Sequence, residues 1–171
     1  MLQNIEEETF KDLTSLEALD LSNNALQTVP VELFSLPKLR NLYLQGNSLS
    51  DLHRNLERIP KPIKAPLKIL NLADTRLMKL PYFGILPDLY YLNISTNPLY
   101  YVTPQQFSSM CQLSKLDLNN TQMTACTCNN VRKLFRLRKY EMELHGMYCD
   151  TSSSGTIHLI IFLLSKISNL L

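Results

Sequence analysis

Apolar residues recur along this chain in a fixed phrase. The first copy places leucines at Leu16, Leu19 and Leu21, an asparagine at Asn24 and a leucine at Leu26. The same order returns as Leu39, Leu42, Leu44, Asn47, Leu49 and as Leu67, Leu70, Leu72, Thr75, Leu77. It appears again as Leu89, Leu92, Ile94, Asn97, Leu99, and finally as Leu113, Leu116, Leu118, Thr121, Met123. The first leucines of successive copies lie 23, 28, 22 and 24 residues apart, the period of a stacked solenoid. Inside each phrase the apolar positions alternate with period two, as in a strand with one buried face. This predicts strands at about residues 18–22, 41–45, 69–73, 91–95 and 115–119, leucines inward and the intervening residues outward. No copy can bury its leucines alone, so the strands must stack as one parallel sheet. Each buried leucine then contributes roughly 1.5–3 kcal/mol.

The asparagine of each phrase turns the chain inward, where its amide must bond the backbone of the adjacent turn, because a buried amide needs partners. Thr75 and Thr121 offer a shorter side chain there, so weaker ladders are expected at those two turns. Between the phrases runs the return side. Leu99, Val102, Phe107 and Met110 fill it in the fourth turn. The stretches 26–36 and 77–86 are one position shorter and carry or adjoin Pro30, Pro37, Pro81 and Pro87, which suit extended or 3₁₀ connections. Residues 50–66 are longer, with Pro60, Pro62 and Pro66 among Arg54, Arg58, Lys61 and Lys64. They read as a solvated convex loop, with a functional protrusion as the alternative. Leu2, Ile5, Phe10 and Leu13 match the return half of an earlier copy, so the chain reads as a fragment with Met1 inside a repeat and no signal peptide before it.

Five aligned copies of this phrase resemble the leucine-rich-repeat proteins, over residues 2 to about 150. The resemblance implies an α/β solenoid: a curved horseshoe with a parallel concave sheet, short irregular or 3₁₀ convex segments and a small helical disulfide cap. Residues 1–125 would be repeats, 126–150 the cap, and 151–171 a Ser/Gly link and apolar tail. Cys126, Cys128 and Cys149, with a helix-like stretch opened by Asn129 and carrying Val131, Leu134 and Phe135, resemble the cysteine-rich C-terminal cap of extracellular members. That cap has a further cysteine downstream, and here none follows Cys149, which leaves Cys111. The resemblance implies bridges Cys128–Cys149 and Cys111–Cys126, with Cys126–Cys149 and Cys111–Cys128 as the alternative. A zinc site of Cys126, Cys128, His145 and Cys149 is disfavoured, because metal sites separate paired cysteines by two to four residues. Neither His53 nor His158 has a spacing that would activate a cysteine nucleophile.

Composition changes the picture at three points. Four glycines leave no glycine-rich phosphate loop. Net charge is +2, yet residues 1–37 hold seven acids against Lys11 alone, and the rest of the chain is basic. A basic distal half can attract an acidic partner or glycan. The tail from Ile157 to Leu171 is strongly apolar but, with Lys166 inside it, falls short of a bilayer span. A truncated membrane anchor and packed structure compete there with translated noncoding sequence, the reading preferred because composition changes abruptly.

The expected function is a protein-recognition module from a secreted or cell-surface adhesion or receptor protein, with a protein ligand or receptor partner on the concave face. Its outward columns supply the candidates Asp20, Asn41, Tyr43, Gln45, Asn71, Tyr91, Lys115 and Asp117, with Tyr90 beside them. The tyrosines are the expected anchors. The sequons at Asn93 and Asn119 fit an extracellular setting and place glycans on or beside the same strands. Asn93, as an outward residue, is expected to contribute under about 0.5 kcal/mol to stability. No catalytic, cofactor or metal residues and no nucleic-acid partner are expected. The alternatives are an intracellular scaffold with reduced cysteines, or regulatory repeats of an enzyme.

Overall fold

The computed structural model describes residues 1–50, 52–57, 63–100, 102–107, 109–124 and 148–150. Its centre is one five-stranded sheet of β1 (Ala18–Asp20), β2 (Asn41–Tyr43), β3 (Ile69–Asn71), β4 (Tyr91–Asn93) and β5 (Lys115–Asp117). The strands lie in chain order, all parallel. The register aligns the phrases without slippage: Leu19, Leu42, Leu70, Leu92 and Leu116 stand opposite one another. Period two then turns every one of these leucines to the same side. Together with Phe34, Phe83 and Phe107 from the return segments they form a continuous buried core. Leu16 and Leu19, in the outermost turn, are only half-buried.

Each strand starts where predicted but ends two residues sooner. In four of the five the cause is a turn built from the strand's last residue. Asp20, Asn71, Asn93 and Asp117 each accept, through Oδ1, the backbone N–H two residues on, at 2.8–3.1 Å. Such Asx turns pull the chain out of the extended conformation. One residue later every turn passes through the left-handed region, at Asn23, Gly46, Asp74, Thr96 and Asn120, with φ between 49° and 68°. Interstrand bonding nevertheless continues past the strand ends, as from Leu44 N–H to Asn71 O and from Gly46 N–H to Ala73 O.

The asparagine ladder forms as expected. Asn47 donates to Leu21 O and Leu44 O and accepts the Leu26 N–H. Asn97, 1% exposed, accepts the N–H groups of Thr75 and Leu77 and donates to the carbonyls of Leu72, Ile94 and Ser95. Asn24 accepts the Leu2 N–H, so Leu2 occupies the position that Leu26 and Leu77 hold in later turns. The threonines behave differently. Thr121 Oγ1 donates to Leu118 O in its own turn, while Thr75 Oγ1 donates to Leu72 O and also reaches Asn97. Neither hydroxyl spans back to the turn before.

The return side is short and mostly non-helical, with 3₁₀ turns at Val31–Ser35 and Pro104–Phe107. The reading of residues 50–66 as a solvated loop needs correction. It contains a helix, α1 (Leu52–Glu57), in which Leu52 and Leu56 are buried one turn apart. That spacing puts both on one face, and their burial holds the segment down. Arg54 is exposed, and Arg58 and Lys61 lie outside the described residues. The chain returns through Lys64 and Ala65, whose N–H groups both donate to Phe34 O. Beyond the main sheet, β6 (Gln122–Thr124) pairs in parallel with β7 (Tyr148–Asp150), setting Met123 opposite Cys149. Cys126, Cys128, His145 and the expected cap helix lie outside the described residues, as does the apolar tail.

Candidate functional site

The sheet's outward face carries the predicted columns. Ala18, Asn41, Ile69, Tyr91 and Lys115 align in one row, and Asp20, Tyr43, Asn71, Asn93 and Asp117 in the next. The second row also carries a structural task. Four of its five members hold their own strand ends through Asx turns, and only Tyr43 stands outside that duty. Asn93, expected to contribute under about 0.5 kcal/mol as an outward residue, also accepts the Ser95 N–H. Four of the five strands close on Asp or Asn, a pattern that by itself does not tell a turn-former from a contact residue.

The tyrosines concentrate chemistry at the distal end. Burial, and then the nearby Asp117 carboxylate, push the Tyr91 phenol above its ordinary pKa, partly opposed by a hydrogen bond from Asn93. Tyr90, 47% exposed, sits one residue before β4, at the sheet's edge rather than in either row. Lys115 Nζ stands 5.9 Å from the centre of that ring, within range of a cation–π contact. Tyr90, Tyr91, Asn93, Lys115 and Asp117 thus form one cluster over β4 and β5. Tyr43 belongs to a second group with Asn41 and Gln45, whose buried Oε1 has no hydrogen-bond partner. At the proximal end the Ser22 hydroxyl and N–H hold the Asp20 carboxyl below its ordinary pKa. Asn71 lies between the groups, in β3.

The sequons meet a folded constraint. Their hydroxyl residues, Ser95 and Thr121, are 8% and 0% exposed, so a glycan on Asn93 or Asn119 must be attached before the turn closes. Cys111 is exposed and lies just before β5. Its proposed partners, Cys126 and Cys128, are outside the described residues. Among the described residues no three His, Cys, Asp or Glu side chains gather as a metal site, and no helix is long and apolar enough to cross a membrane.

A parallel sheet of this register, bridged by buried asparagines, defines a leucine-rich-repeat solenoid, and the chain is a leucine-rich-repeat protein. A leucine-rich-repeat family model matches residues 1–49. The chain is similar to mouse Tsukushi, 31% identical over 147 residues that cover 71% of this chain and 41% of that protein. It is also similar to human oligodendrocyte-myelin glycoprotein, 25% identical over 163 residues, covering 84% of this chain and 36% of that protein. These relatives are secreted or cell-surface proteins. The chain thus spans about two fifths of the length of each of these two relatives. Among solved structures it superposes on a chain of the Drosophila Toll–Spatzle complex with a TM-score of 0.59, at 24% identity, covering 70% of this chain and 16% of that one.

Proposed function

We propose that this chain is the recognition surface of a secreted or cell-surface leucine-rich-repeat protein, holding a protein partner against its concave sheet without chemistry of its own. The observation that carries this reading is the pair of tyrosine groups, Tyr43 and Tyr90–Tyr91. Tyr43 and Tyr91 are fixed on regular strands, with Tyr90 one residue before β4, while Asn71 between them takes part in turn formation. Rigid aromatic side chains with little entropy left to lose are the usual anchors of an interface. The relatives' extracellular placement and the name of the Toll–Spatzle complex support a protein partner.

The test is a random-peptide library panned on the immobilised chain. Peptides selected on the parent should lose at least about tenfold in affinity on Tyr43→Ala or Tyr91→Ala, a change of roughly 1.4 kcal/mol. They should bind Tyr82→Ala, altered on the return side, as they bind the parent. Selected peptides indifferent to both concave tyrosines would overturn the reading. The extracellular setting also has a redox consequence. Protein from an oxidising compartment should show no titratable thiol, with Cys128–Cys149 and Cys111–Cys126 as the bridges found by peptide mapping. Four reactive thiols would instead favour the intracellular scaffold.

A further inference from the structure

The residues that immediately precede the strands form a separate row: Glu17, Arg40, Lys68, Tyr90 and Ser114. Their carbonyls tie them in sequence. Glu17 O accepts from Arg40 and Asn41, Arg40 O from Lys68 and Ile69, Lys68 O from Tyr90 and Tyr91, and Tyr90 O from Ser114 and Lys115. Neighbours in the row are thereby held about one strand spacing apart, roughly 4.8 Å. None of the four charged or aromatic side chains caps its own turn, and all four are exposed.

Charge along this edge is specific. Glu17 is the row's single acid, and its carboxylate lies 3.7 Å from Arg40 with both side chains at least half exposed, a pair that contributes little. Lys68 has no ion pair among the described residues. Lys115, the first residue of β5, leans over the Tyr90 ring. The Ser114 hydroxyl beside it is buried and without a hydrogen-bond partner. Two cations, Lys68 and Lys115, therefore flank one exposed aromatic ring from positions two strands apart, about 10 Å.

We infer that this edge receives a segment of a protein partner that carries two carboxylates about 10 Å apart, with an apolar or aromatic residue between them. Residues i and i+3 of a polyproline II segment, with three residues per turn and a rise of about 3.1 Å, lie on one face roughly 9 Å apart. The inference rests on the concave-recognition reading and assigns the chemistry of the partner at one border of the same surface. A continuous polyanion fits less well. Glu17, Asp88 two residues before Tyr90, and Asp117 two residues after Lys115 interrupt the positive strip. A ligand charged at every step would meet them, whereas discrete carboxylates pass between.

The peptide library is panned in parallel on the 171-residue chain and on its Lys68→Glu/Lys115→Glu variant, after circular dichroism and a urea midpoint show that the variant folds. Peptides taken from the parent should be enriched in acidic pairs three residues apart around an apolar or aromatic residue. They should bind the variant at least about tenfold more weakly and fade with added salt. A milder Lys68→Gln/Lys115→Gln variant should give an intermediate loss. Peptides that depend on Tyr43 and Tyr91 but show no acidic bias would overturn this site and leave the concave reading standing. Peptides independent of those tyrosines would overturn both. Retention of the parent on heparin that the double variant loses, with no acidic peptide selected, would assign the strip to a sulfated glycan and overturn the peptide proposal.

Discussion

Thr96 stands alone among the five left-handed turn positions in being β-branched, with φ of 54°, where its counterparts are asparagine, aspartate or glycine. For an ordinary L residue that conformation costs roughly 1–2 kcal/mol, and asparagine tolerates it best after glycine. The side chain is exposed, so little contact is lost on exchange. Thr96→Asn is expected to raise stability by about 1 kcal/mol, seen as a higher urea midpoint with an unchanged slope. A second residue-level outcome concerns Tyr91. Its folded pKa is raised, so its neutral form adds stability that is complete below the unfolded value near 10 and is lost as pH rises through the folded value. Asp117→Asn keeps the Asx turn, as Asn71 and Asn93 do, but removes the charge. The phenol should then titrate at lower pH in an NMR titration, while burial keeps it above the ordinary value. At this scale the inward leucines were legible because five copies repeat the same alternation. The turn-forming role of Asp20, Asn71, Asn93 and Asp117 was not, because an outward polar residue looks the same whether it faces a partner or its own backbone.

The elements differ in how firmly they are tied. Asn97→Ala leaves buried N–H and C=O groups of two turns unpaired, each costing about 1–3 kcal/mol, so a total loss of about 3 kcal/mol or more is expected. Asn24→Ala, at a half-buried position with one recorded bond into the preceding segment, should cost about 1 kcal/mol. Chemical denaturation of the two variants checks the ranking, and equal losses would refute the burial gradient along the ladder. Leu92→Asp, which buries a charge with no partner, should unfold the middle of the sheet outright. The helix α1 escaped a sequence reading guided by prolines and cations, although Leu52 and Leu56 already had helical spacing. Six residues are too few for local propensity to announce a helix, and it is packing against the core that selects it.

For the molecule as a whole, stacking leaves the first turn open. Met1, Leu2 and Leu13 are exposed, and Leu16 and Leu19 are half-buried beside the outer edge of β1. Apolar surface of this kind marks an interface or an aggregation site. These 171 residues are therefore expected to show concentration-dependent association in sedimentation velocity, reduced by Leu2→Lys and Leu13→Lys. An unchanged profile would place the contact elsewhere. The solenoid itself was legible from residue spacing, since a fixed period admits few architectures, whereas the pairing of β6 with β7 leaves no repeat in the sequence to betray it. One further consequence lies at Thr75. Asn47 and Asn97 rivet the first turn to the second and the third to the fourth, but the hydroxyl of Thr75 reaches no earlier turn, and the inserted α1 segment enters at the same joint. Under tension a solenoid is a series of couplings between neighbours, and the softest yields first. Pulled from its ends, this one would part first between the second and third turns, where only backbone bonds and packing hold and α1 is inserted, and next at the Thr121 joint before the fifth turn.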